Sequence, residues 1–219
     1  MIKRWGGKNI WSLFGCFVLI ALLWNTRILL PLKILIVFFH EISHGLAAIA
    51  TGGSLERITF AANQGGLALT RGGSRFLTLN AGYLGSLLFG SALIIGSSWA
   101  RRDKLLTGAL GLLLGLVTAL YVRNIFGFVF GAAATAALLA SARWLHDDVN
   151  DFILKLIGVT SCGYAVLDIW SDVMVRSCRS DARMLAELTL IPAAVWGVLW
   201  IALSLLAIYQ TLRIAKNVR

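Results

Sequence analysis

At 219 residues, with 58% hydrophobic and only 14% charged side chains and a mean hydropathy of +0.82, the chain lies far from the roughly 25% charged composition of soluble domains. Its net charge of +10 falls in short clusters between apolar runs, a pattern that sets membrane topology and meets anionic headgroups; no basic and aromatic stripe supports nucleic-acid binding. Cys16, Cys162 and Cys178 are odd in number and lack CxxC spacing, which excludes a disulfide framework and a thiolate zinc site.

The apolar runs predict an all-α polytopic membrane protein of about seven transmembrane helices, forming a single integral membrane domain over residues 1–219. The first run, Ile10 to Trp24, follows the basic segment Lys3, Arg4, Lys8 and ends without a small-x-small cleavage site, so it is expected to be retained as a span, with Trp11 and Trp24 as interfacial anchors. The second span runs from Ile28 to Ala50 and stops at Thr51-Gly52-Gly53. The next stretch is polar, and Leu55 to Phe60 and Gly66 to Thr70 alternate around Asn63-Gln64-Gly65, which predicts a short β-hairpin.

The third span, Leu77 to Trp99, opens on the small residues of Asn80-Ala-Gly-Tyr-Leu-Gly-Ser86, suited to close packing on the second. The fourth, Leu105 to Val122, and the fifth, Ile125 to Ala142, are separated by Arg123 and Asn124 alone and form a helical hairpin. The sixth runs from Phe152 to Trp170. Val175 to Leu188 is polar, with Ser180 and Asp181 placed to cap a short amphipathic helix, and a seventh span follows from Leu190 to Thr211 with Pro192 near its start. The basic residues divide evenly between the two sides, and the leading cluster tips the N-terminus to the cytoplasm.

Chemistry concentrates in the second span, at His40-Glu41-Ile42-Ser43-His44. Histidines four apart on a helix share a face and can reach one metal ion, with Glu41 beside them as a base for an attacking water. That is the layout of a zinc hydrolase, and it lacks only a third ligand. A pair of buried structural histidines with Glu41 bonded to one of them is the competing reading. For the third ligand, His146 sits in a loop beside Asp147 and Asp148. Asp168 is better placed: the second and sixth spans run parallel, and both it and the HExxH lie in the C-terminal halves of their spans. Asp172, one turn on, is the alternative.

The HExxH, Thr51-Gly52-Gly53, Ala81-Gly-Tyr-Leu-Gly-Ser86, Leu167-Asp168 and Ser180-Asp181-Ala182 together resemble the site-2 protease class of intramembrane zinc metalloproteases, and within it the M50B-like family. The resemblance implies Zn²⁺ held by His40, His44 and Asp168, with Glu41 as catalytic base. At the third-ligand position the chain departs from the family's Leu-Asp-Gly, since Ile169 follows Asp168. The function expected is hydrolysis of peptide bonds in membrane-embedded substrates. The partners are then a membrane protein or peptide and the lipid bilayer, with no nucleic acid, and the location is the cell's inner or plasma membrane. A non-catalytic membrane scaffold and, less favoured, a metal-ion transporter are the alternatives.

Overall fold

The computed structural model describes residues 8–99, 102–170, 173 and 180–216. Its elements in chain order are α1 (Lys8–Leu23), α2 (Leu30–Ala50), β1 (Ser54–Phe60), β2 (Gly66–Arg71), α3 (Arg75–Trp99), α4 (Asp103–Tyr121), α5 (Ile125–Trp144), α6 (Asp147–Trp170), α7 (Asp181–Thr189) and α8 (Ala193–Lys216). Among the described residues, six helices are long and apolar enough to cross a membrane: α2, with the short 3₁₀ turn before it, α3, α4, α5, α6 and α8. The chain is an integral, multi-pass membrane protein. Of the expected first span the structure describes α1, whose 16 residues extend about 24 Å against a hydrocarbon core about 30 Å thick; residues 1–7 lie outside the described residues.

The apolar composition of every span hides which helices are central, and burial reveals it. In α2 and α6, 78% and 72% of the central window is buried, against 22% in α5 and α8. Between α2 and α6 lies α3, packed on both. Small residues set these distances. A Cβ on Gly90 of α3 would lie 2.7 Å from the Gly158 carbonyl oxygen of α6, and one on Gly158 2.9 Å from that of Gly90. Ser161 then donates across the same seam to the Ser86 carbonyl at 2.6 Å. The predicted α4–α5 hairpin forms, with Gly115 and Gly131 admitting Thr135 and Thr118 of the facing helix.

The predicted β-hairpin also forms, as an antiparallel pair with Ile58 opposite Ala68 and Phe60 opposite Gly66. It packs along α2, where Phe60 stacks on Phe38 with ring centroids 3.9 Å apart. Its base is pinned because Gly53 approaches the backbone of Arg71 and Gly72 where a Cβ would sit 2.7 Å from both. The α4–α5 turn closes the outer edge of β1. Arg123 N–H donates to the Ile58 carbonyl at 3.0 Å, while the Asn124 side chain accepts from Phe60 N–H at 3.0 Å and donates to its carbonyl at 2.7 Å.

Candidate metal centre

His40, Glu41 and His44 are all buried on the face of α2 that meets α3 and β2. The third carboxylate there comes from α7. Asp181 Oδ2 lies 3.0 Å from His40 Nε2 and 3.3 Å from His44 Nε2, and among the described residues these three form the one group of metal-ligating side chains, their ligand atoms all within 4.8 Å of one another. Asp168, expected from the sequence in that role, is buried and lines the same cavity without belonging to the trio. Span parity sets its depth correctly and leaves its azimuth undetermined. Asp172 lies outside the described residues. His146 is exposed beside Asp148, at the opposite end of α6, about 30 Å along the helix from Asp168.

The neighbours of the trio fix its geometry. His44 Nδ1 lies 2.7 Å from the Thr78 carbonyl of α3, and because a carbonyl only accepts, Nδ1 carries a proton and Nε2 faces Asp181. The His40 ring meets the Tyr83 ring edge-on at 4.7 Å. Gly82 makes this approach possible, since a Cβ there would stand 2.6 Å from atoms of both imidazoles. α7 is held by α8: Trp196 donates to Thr189 Oγ1 at 3.2 Å, and Trp200, fully buried, donates to Asn80 Oδ1 of α3 at 2.9 Å.

Two imidazole nitrogens facing one carboxylate oxygen cannot all be acceptors. The contacts call either for protons on the ring nitrogens or for one metal ion between them. Two ligands of a tetrahedral zinc, each at about 2.0–2.1 Å, stand about 3.3 Å apart, and the spacings of 3.0 and 3.3 Å suit either such an ion or hydrogen bonds from the rings. The donor set, two neutral imidazoles and a carboxylate, is that of a catalytic zinc site with a position left for water. Burial by itself would raise the Asp181 carboxyl, but with protons in place of a metal ion the charge and hydrogen bonds of His44 and His40 outweigh it and hold it well below the usual carboxylate range.

The trio opens into a cavity of about 750 Å³ lined by Glu41, Tyr83, Tyr164, Asp168 and strand β2 from Gly66 to Thr70. Ile58 and Phe60 direct their backbone groups to the α4–α5 turn, so their partners Ala68 and Gly66 direct theirs away from β1, toward the cavity. β2 passes directly over the Glu41 carboxylate, where a Cβ on Gly66 would collide with it.

Sequence reasoning missed two contributors. Thr78 acts through its backbone carbonyl, which leaves no mark on residue type. Asp181 reads locally as a first-turn helix residue after Ser180, and only its place in the resembling Ser-Asp-Ala motif pointed further. No curated protein and no solved structure matches the chain. The model of a peptidase family, Peptidase M50B-like, matches residues 13–211, a span that takes in all three members of the trio, Glu41 and the hairpin. The chain belongs to the M50B-like peptidase family.

Proposed function

We propose that the protein is a zinc endopeptidase that cleaves membrane-embedded protein or peptide substrates, with His40, His44 and Asp181 as the metal ligands and Glu41 as the catalytic base. The observation that carries this reading is the buried pair of imidazoles converging on one carboxylate, a cluster that could hold a metal ion, beside a buried glutamate at the wall of an open cavity. When bound, a divalent zinc supplies a Lewis acid for the scissile carbonyl and acidifies an attacking water.

The chain's own residues account for the remaining tasks. Glu41 takes a proton from the water as its oxygen adds to the carbonyl carbon, and returns it to the amine nitrogen as the C–N bond breaks. The β2 edge offers the Gly66 and Ala68 backbone groups to an extended peptide, which an intramembrane helix must become before its amide can be attacked. With β1 closed by the α4–α5 turn, β2 is the edge available for such pairing.

The experiment is a cleavage assay on purified wild type and Glu41→Gln, using a library of internally quenched peptides in detergent. The amide keeps the shape of the carboxylate and cannot accept the proton, so turnover should fall by about 10²- to 10⁴-fold with zinc retained. A Glu41→Gln variant that cleaves at the wild-type rate removes Glu41 from the mechanism.

A further inference from the structure

The cavity has a direction, because β2 runs alongside α2. Gly66, at the start of the strand, lies against Val37 and Glu41, and Gly73, just past its end, lies against the Ala48 carbonyl and Thr51. Glu41 stands about 14 Å inside the end of α2 at Ala50. The far end of the cavity is therefore at the membrane surface, where Ser74 N–H donates to Thr51 Oγ1 at 2.9 Å and α3 begins. Residues of both ends line the one cavity.

The two ends differ in charge. The carboxylates of the lining, Glu41, Asp168 and Asp181, belong to the end that holds the trio, and the one lysine or arginine among the described lining residues is Arg75 at the mouth. Arg75 is the first residue of α3, is exposed, and makes no ion pair among the described residues. By contrast Arg71 pairs with Glu56 at 3.3 Å, and Arg123 donates to the Ala119 and Val122 carbonyls at the end of α4. Arg75 precedes by seven residues Gly82, the point of α3 pressed against both imidazoles. Two helical turns keep it on the same face and place it about 10 Å nearer the surface. An extended peptide covers that distance, with the reach of the arginine added, in about three to five residues.

We propose that Arg75 is a specificity residue that pairs with an acidic side chain of the substrate about three to five residues from the scissile bond, on the side of the peptide that leaves the cavity at the membrane surface. The inference rests on the peptidase reading above and gives it a substrate class, an apolar segment followed by Asp or Glu where the chain emerges. The planar guanidinium suits a carboxylate, which it can bind through two parallel N–H bonds, and it repels a lysine at the same place. Since the mouth is open to solvent, the pair selects among substrates without carrying the chemistry.

The test uses the purified full chain with its zinc, in detergent, and a peptide from the quenched library that wild type cleaves, resynthesised with Glu, Gln or Lys at each position on either side of the bond. Wild type should prefer Glu over Lys by about fivefold in kcat/KM at a position about three to five residues from the bond. Arg75→Gln should remove the preference and Arg75→Glu should invert it, with the Gln peptide cleaved equally by all three and zinc content unchanged. High salt should shrink the preference and leave the Gln peptide's turnover as it was. Wild type with no charge preference in that range overturns the proposal, as does a preference that survives Arg75→Glu. Variants that slow every peptide alike, and only when anionic lipid is added to the detergent, also overturn it, assigning the arginine to headgroup phosphates. If wild type cleaves no peptide of the library, the peptidase reading falls and this inference with it; if it cleaves with no charge preference, this inference alone falls.

Discussion

Gly82 is the residue on which the metal trio's geometry turns most sharply. Its missing side chain lets α3 press against two imidazoles at once, one held by the Thr78 carbonyl and both facing Asp181. A methyl group at 2.6 Å from both rings has no flexible neighbour to displace, so the ligands themselves must move. Gly82→Ala should lower stability by about 1–3 kcal/mol and weaken zinc binding by about 10- to 100-fold, as lost support of a metal ligand does. Thermal melting and a competitive zinc titration check both. Gly96 provides the control on the same helix, since a Cβ there meets a flexible Leu106 methyl at 3.4 Å; Gly96→Ala should leave zinc affinity unchanged.

Among elements, the hairpin joins local sequence to function most directly. Its strands and turn were legible in the alternation of residues 55–70, because a polar stretch between apolar runs leaves a period of two visible. Which edge stays open was not legible. That depends on Asn124, sixty-four residues away from Phe60, which closes β1 through two hydrogen bonds. Asn124→Ala should cost about 1–3 kcal/mol and loosen the hairpin, seen as faster hydrogen exchange over 54–71. At Ala68 the backbone N–H faces the cavity, so proline removes an edge donor and leaves the β1–β2 ladder intact. Ala68→Pro should therefore impair peptide cleavage far more than protein accumulation. Equal turnover by this variant and wild type would make the strand a connector only.

For the whole molecule, the third carboxylate beside the two imidazoles shows where local reading ends. The HExxH was legible because its three residues lie within one helix turn and a half, and its chemistry follows from spacing alone. Asp168 was favoured because parallel spans put it at the right depth, and the structure does bring it to the same cavity. Depth does not determine direction around the bundle. Asp181 reaches the imidazoles because α8, anchored through Trp200 to Asn80 and through Trp196 to Thr189, carries α7 back over α3. That long-range arrangement has no period in the sequence. The central claim is that His40, His44 and Asp181 hold one divalent ion, and zinc per chain in the purified protein, measured after dialysis against a mild chelator for wild type, Asp181→Asn and Asp168→Asn, tests it most directly. The account predicts one zinc in wild type and Asp168→Asn and loss of zinc in Asp181→Asn; zinc lost from Asp168→Asn and kept by Asp181→Asn, or none in wild type, would contradict it.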